Sequence, residues 1–173
     1  MLVTRTYLTL DDPAALRPAT RPAPAATLHL LDPCDTATAR LLYHAVGAAW
    51  HWRDRDGWSD DRLAEWVARP TVRTYRLDAP DGALLGYAEL VRHDDDSCEL
   101  GYFGLVPDAM GRGLGGAFLT SMVRAAWAFD LPGRAPVTRV WLHTCTLDAP
   151  QALPNYLARG FVVFRTEAYA APE

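Results

Sequence analysis

The chain contains no lysine: its 17 basic residues are all arginine, which excludes Schiff-base and lysine-base chemistry. Cysteine is scarce. Cys34, Cys98 and Cys145 are odd in number and widely spaced, with no CxxC pair, which excludes a disulfide framework or zinc ribbon and points to a reducing compartment, the cytoplasm being the expectation. No stretch approaches the ~20 apolar residues of a membrane span, and Met1–Tyr7 lacks the apolar core of a secretory leader, so soluble partners and no membrane are expected. Positive charge is not in surplus either. A net charge of −4 argues against general nucleic-acid binding. No internal repeat is visible.

What is present suits one globular domain: 173 residues, 50% hydrophobic and 22% charged. Residues 1–26 read as an N-terminal strand, Leu2–Leu10, followed by a proline- and alanine-rich connection, with the core over 27–173. Thr27–Leu31 is a short strand. A helix capped by Asp35 or Thr36 follows, and a second begins at Ser59 with Asp60 and Asp61 in its first turn. From Val72 the hydrophobic period changes to two, giving strands Val72–Leu77, Leu84–Arg92 and Cys98–Val106, joined by tight turns into an antiparallel meander. A helix from Gly113 that ends near Asp130-Leu131-Pro132-Gly133, a strand Val137–Cys145, a helix Pro150–Ala158 and a strand Phe161–Phe164 complete the reading.

Between the third meander strand and its helix lies Gly111-Arg112-Gly113-Leu114-Gly115-Gly116. Glycines let a ligand approach the main chain, and the free N–H groups and dipole of the following helix attract anions, so a phosphate-bearing ligand is indicated. The string fits GxGxxG literally, yet a Rossmann fold needs parallel strands and further βαβ units, whereas here the preceding strands are hairpin-linked and only 57 residues follow Gly116. The absent Gly-Lys-[Ser/Thr] ending removes the P-loop.

Met110-Gly111-Arg112-Gly113-Leu114-Gly115 resembles the pyrophosphate loop [Gln/Arg]-x-x-Gly-x-[Gly/Ala] of the GNAT N-acetyltransferases, with Met110 departing at the first position. Ala152–Phe161 resembles that family's tyrosine helix, A-x-x-L-Y-x-x-x-G-F; Tyr156, Gly160 and Phe161 match, and Asn155 and Pro154 depart. The element order from Leu28 to Phe164 is similar as well. The resemblance implies an α/β fold of the GNAT acyltransferase type: a mixed, mostly antiparallel twisted sheet with flanking helices, here with an extra N-terminal strand that extends the sheet or meets a second copy of the chain as a homodimer.

It also implies acetyl-CoA as acyl donor and a small-molecule or peptide amine as acceptor, with no metal. The pyrophosphate falls to Gly111, Arg112, Gly113, Leu114, Gly115 and Gly116. Pantetheine falls to the main chain of Phe103, Gly104, Leu105 and Val106, where the family's strand splays from its neighbour at a bulge. The plain alternative for Gly104 is relief of packing. An amine of pKa ~10.4 costs about 4.6 kcal/mol to neutralise at pH 7, so a base is required. Glu99 is the leading candidate; Glu89, His93 and His143 are alternates. Tyr156 is the candidate acid for the departing thiolate, against a role in packing alone.

A covalent route through Cys98 or Cys145 carries little weight, because cysteine commonly behaves as a small buried hydrophobe and no Cys–His pair is evident locally. On the acceptor side, the segment Trp50–Trp58 offers aromatics for a cation or a ring, or simply core tryptophans. Asp94-Asp95-Asp96 reads either as an attractor of a cationic amine or as a solvated turn. The alternative function is a non-catalytic acyl-CoA-binding or sensor protein; an NAD-dependent oxidoreductase is a distant third.

Overall fold

The computed structural model describes residues 1–170. Seven strands form one sheet in the order β2-β3-β4-β5-β6-β1-β7: β1 (Leu2–Leu10), β2 (Thr27–Leu31), β3 (Val72–Asp78), β4 (Leu84–Arg92), β5 (Ser97–Leu105), β6 (Arg139–Cys145) and β7 (Val162–Ala170). Helices α1 (Thr36–Gly47), α2 (Asp60–Val67), α3 (Leu114–Trp127) and α4 (Ala152–Ala158) flank it. Every strand pair is antiparallel except β5–β6, and the architecture is the mixed α/β fold that the resemblance implies.

Local signals set the helix starts. Asp35 caps α1 by accepting from Thr38 N at 2.9 Å, and Ser59 caps α2 by accepting from Arg62 N at 3.2 Å. Helix α3 buries Leu114, Phe118, Leu119, Met122, Val123 and Ala126 at helical spacing against one face of the sheet, where Leu8, Leu90, Leu100, Val140 and Leu142 form its other half. On the opposite face α1 packs Leu42, Tyr43 and Val46 onto Tyr87 of β4.

Two features differ from the sequence reading. The last strand runs from Val162 to Ala170, not Phe161–Phe164, because it pairs with β1 from Leu2 to Thr9; with most of its residues exposed, its far half shows no apolar alternation to mark it. The N-terminal strand enters the interior of the sheet, between β6 and β7, so β6–α4–β7 is a crossover that skips one position. The Asp11–Ala26 connection is an ordered strap along α3: Ala19 N donates to Thr120 Oγ1 at 3.0 Å and Arg17 N to Arg159 O at 2.9 Å.

Candidate active site

The sheet opens between its two parallel strands. Strands β5 and β6 pair only at Ser97–Arg139, Cys98–Val140 and Glu99–Trp141, so among the described residues β5 from Leu100 onward has no partner strand on that side. The irregularity that bends β5 is a bulge at Gly101, which the pairing of Glu89 with Tyr102 and of Leu90 with Leu100 leaves unmatched. The expected bulge segment, Phe103–Val106, is regular and paired to β4 up to Leu105. Gly104 has a packing reason: a Cβ there would lie 2.5 Å from Val46 Cγ1, so glycine lets α1 approach β5.

A cavity of about 680 Å³ occupies the opening, lined by Leu100–Leu105 of β5 and by Met110, Gly111, Gly113, Leu114, Gly115 and Gly116 of the glycine loop. Gly111 and Gly113 have φ of +71° and +82°, the left-handed region that glycine adopts without strain. Gly113 is the N-cap of α3 and has no side chain to satisfy the first-turn N–H groups, which leaves them for an anion. This open cradle fits a pyrophosphate. Arg112 is exposed and Val106 packs between the two apolar clusters; neither lines the cavity.

Tyr156 also faces the cavity, packed on Phe103 and Phe161 at ring distances of 6.2 Å, and burial pushes its hydroxyl pKa upward. Pro154 occupies the first turn of α4, where the missing N–H costs no helical bond. Asn155 has a tertiary use: its Nδ2 donates to Gly115 O at 3.1 Å, fastening α4 to the glycine loop.

Glu99 lines the cavity where the strands part, with its side chain 15% exposed, and its Oε2 lies 2.8 Å from His93 Nε2. That bond holds the His93 pKa above its ordinary value, against the pull of burial. His143 lies on the same wall, its pKa lowered by burial. Glu89 is otherwise engaged. Its carboxylate accepts from Arg55 Nη1 at 2.8 Å and Nη2 at 2.6 Å, from Trp66 Nε1 at 3.0 Å and from Tyr87 Oη at 3.3 Å. With every near donor already placed on it, it is an ion-pair anchor more than a free base.

Sequence reasoning missed Arg55. Burial opposes its charge, but the Glu89 carboxylate more than offsets that and keeps the guanidinium protonated, boxed by the rings of Tyr102 at 4.5 Å, Trp58 at 5.0 Å and Trp66 at 5.4 Å. The tryptophans that bracket Arg55 in sequence were the available signal. Trp50, Trp52 and Trp58 do reach the cavity, as does Asp54, which accepts from Tyr102 Oη at 2.9 Å. The acidic turn lies elsewhere: Asp95 accepts from Ser97, and Asp96 bonds Arg92 and Arg134. Cys98 is fully buried, and burial pushes its thiol up to about 12, which removes it as a nucleophile at neutral pH.

Comparison with known proteins shows the family and the fold. The model of the acetyltransferase (GNAT) family matches residues 39–161. A mycothiol acetyltransferase of Mycolicibacterium gilvum is 33% identical over 130 residues, covering 72% of this chain and 42% of that protein. The chain thus spans about two fifths of that relative's length. A solved GCN5-related N-acetyltransferase from Kribbella flavida superposes with a TM-score of 0.63 at 19% identity, over 95% of this chain and 56% of its own. A tandem GNAT protein of the clavulanic acid biosynthesis pathway gives 0.58 at 17% identity, over 99% and 55%. At these identities the two structures speak to fold.

Proposed function

This chain belongs to the GNAT family of acetyltransferases, and from that premise we propose that it transfers the acetyl group of acetyl-CoA to a primary amine by direct attack, with Glu99 as general base and Tyr156 as general acid. The observation that carries the reading is the parting of β5 from β6 directly after Glu99, which opens a cavity continuous from the glycine loop to that carboxylate.

Acetyl-CoA supplies an acyl thioester. The first turn of α3 and the glycine loop hold its pyrophosphate, and the unpaired edge of β5 offers main-chain groups to its pantetheine arm. Glu99 removes a proton from the acceptor ammonium, His93 fixing one carboxylate oxygen and leaving the other for that proton. The amine nitrogen bonds to the carbonyl carbon, the carbon–sulfur bond of the resulting tetrahedral adduct breaks, Tyr156 donates its proton to the departing sulfur, and the second proton lost by the amide nitrogen returns to Tyr156 through solvent. A thiol of pKa near ~8.5 is already a fair leaving group, so Tyr156 contributes less than Glu99. The aromatic segment Trp50–Trp58 shapes the acceptor end.

The test is release of free CoA thiol, and acetyl-amine by mass spectrometry, with a panel of amines that includes the acceptor used by mycothiol acetyltransferases. Wild type turns over at least one amine, and Glu99→Gln lowers kcat/KM by about 10²–10⁴-fold at neutral pH. Unchanged turnover in Glu99→Gln removes Glu99 as the base; no acetyl transfer to any amine removes the reading.

A further inference from the structure

The acceptor face of the cavity holds a cation that the proposed chemistry does not use. Arg5 of β1 lines the cavity beside Cys145 and His143. Its register places it directly opposite Cys145, on the sheet face that carries His143 and Trp141 of β6 and, through the Glu99–Trp141 pair, Glu99 of β5. Leu8 and Leu142 project to the other face, into the α3 core. Arg5 therefore shares the face from which an acceptor reaches Glu99.

Its charge is poorly matched inside the protein. Arg5 Nε is buried and has no hydrogen-bond partner among the described residues. Among the described residues the nearest carboxylate, that of Glu167, is 3.6 Å from Nη1, beyond a good hydrogen bond, and already accepts from Tyr7 Oη at 2.6 Å and from Arg165. The Tyr169 ring, 4.7 Å from the guanidinium carbon, fixes one face of the fork. The cavity's other arginine, Arg55, is bound at two points by Glu89. Arg5 thus presents a planar donor fork suited to a carboxylate.

We propose that the acceptor carries a carboxylate several bonds from its amine, and that Arg5 receives this carboxylate while the amine meets Glu99. This rests on the acetyl-transfer reading above. The spacing sets the class of molecule. Cys145 and Trp141 are four residues apart on β6, and β1 lies two strands from β5, so at ~3.3 Å per residue and ~4.8 Å per strand the Cα atoms of Arg5 and Glu99 are roughly 16 Å apart. Allowing for two converging side chains, the span suits an ω-amino acid or a short peptide with a free C-terminus better than a lone α-amino acid.

The experiment compares kcat/KM for 6-aminohexanoate and its methyl ester, and for triglycine and its amide, in wild type, Arg5→Gln and Arg5→Lys. Acetyl-CoA binding by calorimetry shows that each variant retains its fold. Wild type is expected to prefer the free acids about tenfold or more, the scale of one charge-assisted hydrogen bond. Arg5→Gln loses that preference through a rise in KM, and Arg5→Lys keeps part of it. Preference for 6-aminohexanoate over triglycine identifies the ω-amino acid as the class, and the reverse a peptide. Equal use of acids and neutral derivatives by wild type, or an intact preference in Arg5→Gln, overturns the proposal. Failure of every amine, neutral ones included, instead overturns acetyl transfer itself.

Discussion

Glu89→Gln separates the two roles a buried carboxylate beside an active site can play. The Glu89 and Arg55 side chains are 1% and 5% exposed, and two bonds of 2.8 and 2.6 Å join them. Removing the carboxylate charge leaves the guanidinium buried without a counter-ion, a loss of about 3–5 kcal/mol for breaking one side of such a pair. Glutamine still accepts from Trp66 or Tyr87, which places this variant at the lower end, and Glu89→Ala at the upper. At ~2–4 °C per kcal/mol for a chain of this size, Tm falls by roughly 6–20 °C. The assay is thermal unfolding followed by circular dichroism, with kcat measured well below the transition. Wild-type Tm in Glu89→Gln refutes the account of the ion pair. Wild-type Tm combined with lost turnover makes Glu89 the reacting base, and Glu99 a bystander.

Three further outcomes follow from the site. Tyr156→Phe lowers kcat by less than the ~100-fold that marks the low end of general acid–base catalysis, and leaves KM for acetyl-CoA unchanged; a larger loss gives Tyr156 a second role. Gly113→Val forces a branched side chain into φ +82°, at about 1–2 kcal/mol or more, so acetyl-CoA binding by calorimetry weakens at least several-fold; unchanged affinity removes the loop from the donor site. The His93 pKa is raised in the folded state, chiefly by its bond to Glu99. Its contribution to stability is therefore complete below the ordinary imidazole pKa of ~6.5 and is lost as pH rises through the raised folded value. Urea midpoints above pH 6 should fall more steeply in wild type than in His93→Gln, and parallel curves would refute the pairing.

Much of the fold was legible because its signals are local. Asp35 and Ser59 mark the helix starts by capping, the two-residue period marks the meander, and the Gly111–Gly116 run sits between a strand and a helix where its main chain can meet an anion. The place of the bulge was not. Gly101 and Gly104 look alike in sequence, and only the pairing of β5 with β4, and the approach of α1, distinguish the bend from the packing contact. Glu99 led Glu89, His93 and His143 only by the family resemblance, because the sequence around a titratable residue shows neither its partner nor its depth.

The sequence by itself determined most of the elements, since propensity, capping and spacing act over a few residues, and its motifs carried the family resemblance from which roles for the glycine loop, glutamate and tyrosine were expected. Tertiary structure decided that the Glu89 carboxylate is held by Arg55, Trp66 and Tyr87 while that of Glu99 meets, among the described residues, His93 alone, because Arg55 meets Glu89 across 34 residues of chain. It also decided that Arg5 lines the cavity, because β1 is drawn between β6 and β7 by hydrogen bonds to strands that lie more than a hundred residues away. Those pairings satisfy backbone groups that no local segment can satisfy alone.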